Sequence, residues 1–180
     1  MTFRIVRSIL RSCCVEIALL IVRLIVGLGF FAHGAQKIFG LFGGYGLAGT
    51  GGYFESIGFK PGKLFAAAAG WSEMVAGLLI ALGLFGPVGP ALLISVMVVA
   101  LAVHAPNGFF GQNGGFELPL VSSSFALLLA FTGPGPYALD ALVPIAWTPA
   151  SVWLVVAIGI VGGLANLAVR KKLVPAQTPG

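Results

Sequence analysis

Long apolar runs constrain this chain more than any other feature, because a helix of about 20 such residues crosses the hydrocarbon core of a bilayer. Five runs approach or reach this length; they are residues 17–39, 64–84, 91–104, 117–132 and 151–169. Only 8% of the residues are charged, whereas a soluble domain has about 25%. Low charge combined with high apolar content also excludes a disordered chain. The sequence therefore predicts an all-α integral membrane protein.

The order of the runs predicts a four-helix bundle with an appended fifth hydrophobic helix. Residues 1–16 form a basic N-terminal interfacial segment, and residues 17–142 form the four-helix membrane core. Residues 143–170 are a linker and the fifth helix, and residues 171–180 are a tail. Within the core, residues 40–62 are too rich in glycine for a regular helix and predict an ordered or re-entrant loop. Such a loop must lie outside the hydrocarbon or be covered by protein.

Basic residues flank the apolar runs at both ends of the chain, as Arg4, Arg7 and Arg11, and as Arg170, Lys171 and Lys172. Because they form no continuous stripe, they indicate contact with lipid headgroups and not with nucleic acid. Their number leaves the orientation open. With five spans, the positive-inside rule favours an outside N-terminus; if the fifth segment does not cross, both termini lie inside.

The N-terminal run shares some features with a signal peptide, namely a basic start and the small residues Ala32 and Ala35. Arg23 interrupts the run, and the chain after it is equally hydrophobic, so we expect a retained first helix. The adjacent Cys13 and Cys14 form neither a CxxC redox pair nor a metal set. They are compatible with palmitoylation but are more simply read as inert boundary residues.

One glycine pattern imitates a nucleotide-binding motif. Gly44, Gly46 and Gly49 fit G-x-G-x-x-G, which binds dinucleotides only between a strand and a helix of a βαβ unit. Here the pattern lies between membrane helices, so we expect a turn and no dinucleotide site.

Ionisable and amide residues are predicted to meet at one end of the bundle, because consecutive helices run antiparallel. These residues are His33, Gln36, Lys37, His104, Asn107 and Glu117, with Glu73 deeper in the second span. We interpret Glu73, His33 and His104 as candidate catalytic residues, and the whole mouth as a candidate substrate site. Simple interfacial placement explains any single one of them equally well. Glu73 is different, because a carboxylate inside a membrane span is costly and therefore indicates a functional role or a buried ion pair.

Four further residues are candidates for structural roles. Arg23 lies nearer the other end of the first helix and could pair with Asp140 or with Glu73. Gly159 and Gly163 form a G-x-x-x-G pattern, which allows close helix packing. The pattern serves either docking within the chain or dimerisation, and the sequence does not separate the two.

Two histidines at one mouth also raise the possibility of a haem, since paired imidazoles are common axial ligands. Against it, His104 lies at a helix end and His33 is one turn from Lys37, whose charge competes for space with a macrocycle. We therefore expect no haem, no metal site and no covalently bound cofactor.

Several ordered motifs resemble the DoxX family of small multi-pass membrane proteins. They are His33-Gly34-x-Gln36-Lys37-x-Phe39-Gly40, the glycine-rich loop, the alanine-rich approach to Glu73, His104-x-Pro106-Asn107-Gly108-Phe109-Phe110, and Tyr137-x-Leu139-Asp140. The similarity covers roughly residues 20–142. It implies a four-helix core in the cytoplasmic membrane of a prokaryote. The chain departs from the family in its fifth apolar segment and in the turn at residues 85–90, which lacks the family's basic residue.

The resemblance implies a membrane subunit of a quinone-linked oxidoreductase, because members include a subunit of a thiosulfate:quinone oxidoreductase and a component of a redox-stress complex. The sequence has no flavin, iron–sulfur or CxxC motif, so electrons would come from a partner subunit or from a substrate. A non-enzymatic scaffold that binds partner proteins, or forms a homo-oligomer, is the main alternative. A small solute or proton pathway is a third hypothesis, weakened by the lack of an inverted repeat.

Overall fold

The computed structural model describes residues 2–143 and 145–171, and it describes side chains from Cys14 onward. The described residues form helices and connecting turns without a strand. The α-helices are α1 (Thr2–Phe39), α2 (Gly46–Ser56), α3 (Gly62–Leu82), α4 (Val88–His104), α5 (Glu117–Thr132) and α6 (Pro149–Ala168). Lys172, residues 173–180, and the side chains of Arg4, Arg7, Arg11 and Cys13 lie outside this description.

Four of the helices are long and apolar enough to cross a membrane, which confirms the predicted all-α membrane fold. The spanning segments are Cys14–Phe39, Gly62–Leu82, Val88–Asn107 and Pro149–Ala168. α5 has 16 residues and is about 24 Å long, somewhat less than the roughly 30 Å of a hydrocarbon core. α1 starts at Thr2 and has 38 residues. The predicted interfacial segment therefore continues directly into the first span.

The prediction that residues 40–62 contain no regular helix is wrong, because α2 occupies eleven of them. Glycine is a poor helix former in isolation, but here it permits close packing of α2 on α3. A Cβ added at Gly62 would lie 2.0 Å from the Gly51 carbonyl oxygen, and one at Gly51 would lie 2.9 Å from Cγ of Lys63. Tertiary packing thus stabilises a helix that the local sequence disfavours.

α1 and α3 approach each other along a seam of glycines. A Cβ at Gly27 would lie 2.5 Å from the Ala81 nitrogen, and one at Gly34 would lie 2.4 Å from the Gly70 carbonyl oxygen. Membrane helices associate through such small residues because lipid provides no hydrophobic driving force between them. The seam brings the polar face of α1 within reach of α3.

α6 packs against α4 through the two glycines of the G-x-x-x-G pattern. A Cβ at Gly159 would lie 2.3 Å from the Ala91 carbonyl oxygen, and one at Gly163 would lie 2.6 Å from that of Ser95. Of the two uses that the sequence left open, these glycines serve docking within the chain. α6 begins beside the α3–α4 turn, where the Trp147 indole meets Gly86, and it ends beside Gly58 at the opposite end of the bundle. The fifth segment therefore runs the length of the bundle.

Gly27→Ala should destabilise the protein, because the added methyl group has no room between α1 and α3. Overpacking of this kind costs about 1–3 kcal/mol, and it should appear as a lower midpoint of thermal unfolding in detergent. Gly29→Ala is the matched control, since no atom lies within 4 Å of the position where its Cβ would be. Equal unfolding midpoints for the two variants would contradict the glycine seam.

Candidate functional site

A partly buried ion pair joins α1 to α3 near one end of the bundle. Lys37 Nζ lies 2.5 Å from Glu73 Oε1. The Glu73 side chain is 3% exposed, whereas that of Lys37 is 29% exposed. The other carboxylate oxygen of Glu73, Oε2, is buried and has no hydrogen-bond partner among the described residues. An unpaired buried acceptor is costly, so this atom is the point at which a hydrogen-bond donor would be bound most favourably.

His104 ends α4 and turns one ring nitrogen towards the loop that follows. Its Nδ1 lies 2.7 Å from the Gly114 carbonyl oxygen, which also accepts a hydrogen bond from Asn107 Nδ2 at 3.1 Å. Because a carbonyl oxygen can only accept, this contact assigns the proton to Nδ1. In the neutral ring, Nε2 then carries a free lone pair. His104 is thereby prepared to accept a proton at Nε2.

Two cavities adjoin at the ion pair. The α6-side cavity has a volume of about 230 Å³ and lies between α3, α4 and α6 beneath the α2 segment. The α5-side cavity has a volume of about 300 Å³ and lies between α1, α4 and α5. Four residues line both cavities: Lys37, Glu73, Ala100 and His104. A molecule in either cavity can therefore contact the side chains of Lys37, Glu73 and His104.

The remaining predicted mouth residues are divided between the cavities and the loops. His33 is exposed and lines the α5-side cavity, with its ring 5.9 Å from that of Phe30. Gln36 Nε2 donates to the Phe42 carbonyl oxygen at 3.2 Å, while Glu117 Oε2 accepts from the Gly111 N–H at 2.9 Å. The structure thus brings His33, Lys37, Glu73 and His104 together. Gln36, Asn107 and Glu117 hold nearby loops, and the catalytic and binding roles of the whole set stay predictions.

Arg23 forms no direct salt bridge with Glu73 or Asp140, although the Asp140 carboxylate acts on it electrostatically. It is buried, and its guanidinium donates to backbone carbonyl oxygens of Ala81 at 3.3 Å and Tyr137 at 2.9 Å, and to that of Pro134. The Asp140 carboxylate instead accepts from the N–H groups of Phe85 at 2.7 Å and Gly86 at 2.5 Å. Both residues satisfy free backbone groups where α3 and α5 end. Matching opposite charges does not identify these partners, because a sequence does not show which backbone carbonyl groups lack a hydrogen bond within their own helix.

Sequence reasoning also missed polar residues that line the α6-side cavity. Thr50 and Tyr53 come from α2, Ser72 from α3, Ser95 from α4 and Asn166 from α6. The glycine content of residues 40–62 predicts a loop, so no inward face can be assigned to α2 from the sequence. Asn166 did carry a signal, since it is the single hydrogen-bonding side chain among residues 154–169.

No cluster of three or more His, Cys, Asp or Glu side chains that could hold a metal ion occurs among the described residues. His104 and His33 both line the α5-side cavity. The expected absence of haem stays a prediction, as does the absence of any covalently bound cofactor.

Fold and site together define a small multi-pass membrane protein with a partly buried ion pair inside an apolar cavity. The DoxX family profile matches residues 18–105. An uncharacterized membrane protein of Mycobacterium tuberculosis is 32% identical over 130 residues, covering 66% of this chain and 77% of its own. A Bacillus subtilis protein named "Putative oxidoreductase CatD" is 31% identical over 128 residues, covering 71% of this chain and 88% of its own. The chain belongs to the DoxX family. No solved structure matches it.

Lys37→Met should destabilise the protein more than Lys37→Met combined with Glu73→Gln. The single substitution leaves a buried carboxylate without its cation, and because Lys37 is 29% exposed the loss should be smaller than the roughly 3–5 kcal/mol of a fully buried pair. Glu73→Gln removes the charge at nearly constant volume and should recover part of the loss. Thermal unfolding of the two single variants and the double variant measures the coupling. Strictly additive losses would show that the two side chains do not interact energetically.

Proposed function

We propose that this protein is the membrane subunit of a quinone-linked oxidoreductase and that its cavities bind the quinone headgroup. The observation that carries the proposal is the pair of free proton acceptors, Glu73 Oε2 and His104 Nε2, beside the Lys37 ammonium in an apolar space. Membership of the DoxX family and similarity to a bacterial protein named as an oxidoreductase support it. Bacterial relatives also support placement in the cytoplasmic membrane of a prokaryote.

The donors and acceptors of the site match both redox forms of a quinone. Reduction of a quinone to a quinol consumes two electrons and two protons. Lys37 Nζ can donate a hydrogen bond to a quinone carbonyl oxygen, while Glu73 Oε2 and His104 Nε2 can accept hydrogen bonds from quinol hydroxyl groups. For quinone reduction, Glu73 and His104 would each first take up a proton from water at the mouth and then pass it to a quinone oxygen; for quinol oxidation the transfer runs in reverse. The surrounding apolar side chains exclude water, which strengthens each of these polar contacts.

Electrons must come from outside this chain under this proposal, because its sequence has no flavin, iron–sulfur or CxxC motif. The donor would be a partner subunit or a reduced substrate at the mouth. Next to the ion pair, an open groove of about 520 Å³ is lined by Gln36, Lys37, Thr50, Tyr45 and Tyr53. It offers such a substrate a polar approach to Lys37.

A short-chain quinone should raise the midpoint of thermal unfolding of the purified protein, because a ligand that binds the folded state stabilises it. Decylubiquinone and menadione are suitable probes, each tested in oxidised and reduced form. Glu73→Gln should remove most of the shift, since the amide replaces one acceptor oxygen by a donor.

Glu16→Gln is the control for this experiment, because Glu16 lies on α1 outside the described cavities. It should leave the shift unchanged. If neither probe changes the unfolding of the unsubstituted protein in either redox form, the quinone proposal is wrong.

A scaffold role is the second candidate, and exposed aromatic residues at the mouth favour it. Tyr45 is 86% exposed and Phe42 is 72% exposed, on the connection between α1 and α2. Under this alternative, Phe42→Ser with Tyr45→Ser should release a protein that co-purifies from native membranes while thermal unfolding stays unchanged. Recovery of the same partner proteins with this variant would argue against docking at these residues. The packing glycines of α6 cannot serve this purpose, since they contact α4.

A further inference from the structure

Asn166 lines the α6-side cavity from a helix beyond residues 18–105, the part that matches the family profile, and because the residue is exposed its amide lies at the rim of the cavity. Polar side chains within membrane helices are costly and usually face the interior or a functional cavity. Its Nδ2 donates to the Gly162 carbonyl oxygen at 3.1 Å, one turn back along α6. This contact fixes the amide and leaves Oδ1 and the second N–H group free for another partner.

The cavity is lined by polar groups from several helices, Glu73 and Asn166 among them, and by apolar side chains. α3 and α6 both pack on α4, and they contribute Glu73 and Asn166 respectively. The α4 side chains that line the same cavity include Val96, Val99 and Val103. A ligand that fills this space needs one polar group for Glu73, another for Asn166 and an apolar body for the valines.

A clamp holds the end of α6 over the cavity. Arg170 Nε donates to the Ile57 carbonyl oxygen at 2.7 Å, and the Lys171 N–H donates to the Gly58 carbonyl oxygen at 2.9 Å. Gly58 has a φ of +97°, and a Cβ there would lie 2.3 Å from the Lys171 carbonyl oxygen. Only glycine satisfies this backbone conformation and this close contact together. The clamp, formed by Arg170 and Lys171 on Ile57 and Gly58, therefore fixes the position of Asn166 relative to the ion pair.

From these observations we infer that Asn166 binds the second ring oxygen of a para-dioxygenated ring, whose first oxygen lies at Glu73 and His104. A 1,4-quinol has this chemistry, because its two hydroxyl groups lie on opposite sides of an apolar ring. This inference rests on the proposed quinone function and adds the α6-side cavity as the binding site. The fifth helix is then a wall of the site and sets its specificity.

The test compares two probes that differ by one ring oxygen. 2-Decyl-1,4-hydroquinone has both oxygens, and 3-decylphenol lacks one of them. Asn166→Ala should weaken binding of the hydroquinone about three- to tenfold, as expected for one lost hydrogen bond, and should leave binding of the phenol unchanged. Calorimetric titration of the full-length protein under anaerobic conditions measures both affinities. Leu164→Ala on the lipid-exposed face of α6 is the control and should change neither.

A second pair of variants tests the same inference without changing a cavity side chain. Gly58→Ala should break the clamp and weaken the hydroquinone more than the phenol. Gly52→Ala should have no effect, because its Cβ would meet nothing within 4 Å. Equal losses for both probes, or no loss in either Asn166→Ala or Gly58→Ala, would overturn the role of Asn166 while the quinone function stands. If the unsubstituted protein binds no hydroquinone, the proposed function fails and the inference fails with it.

Discussion

The ion pair between Lys37 and Glu73 is the interaction on which the rest of the structure depends. A carboxylate placed in the middle of a membrane helix costs about 2.5–3.5 kcal/mol even on the scale derived from membrane insertion. Glu73 is tolerated because a cation from α1 reaches it at 2.5 Å. The glycine seam at Gly27, Gly34, Gly70 and Gly77 lets α1 and α3 pack closely, which keeps the two side chains within reach of each other.

Pairing satisfies only one of the two carboxylate oxygens, and this imbalance gives the site its chemical character. Glu73 Oε2 and His104 Nε2 can each accept a hydrogen bond. The Nε2 lone pair is free because the contact with the Gly114 carbonyl oxygen keeps the proton on Nδ1. An apolar cavity that contains two acceptors and one ammonium group suits a small ring with exchangeable protons better than it suits a metal ion. Asn166 of α6 lines this cavity and the clamp at Gly58 holds the end of α6, so the segment that departs from the family contributes to the candidate site.

The sequence predicted the positions of helices well where hydrophobicity alone determines them. It predicted structure less well where contacts between backbone groups of distant segments determine it. The limits of α5 coincide with the apolar run at residues 117–132, because turn residues follow it directly. Residues 40–62 were misread because glycine usually opposes a helix, and its value in close packing with α3 appears only once both partners are in place. For Arg23 the sequence suggests Asp140 or Glu73 as a partner, whereas its hydrogen bonds go to backbone carbonyl oxygens. Charge is visible in a sequence, whereas the open carbonyl groups of Ala81 and Tyr137 are not.

By itself the sequence determined that this is an all-α membrane protein, because the length and hydrophobicity of each span are local properties. It also determined that His33, Lys37, Glu73 and His104 belong to one end of the bundle, because consecutive spans run antiparallel. Only the tertiary structure decided that Lys37 pairs with Glu73 and that the second oxygen of Glu73 has no partner among the described residues. It also decided that Gly159 and Gly163 pack on α4 and that Asn166 lines the α6-side cavity. These outcomes depend on how far apart two helices lie and how each is rotated about its axis, and both quantities are set by packing between segments distant in the chain.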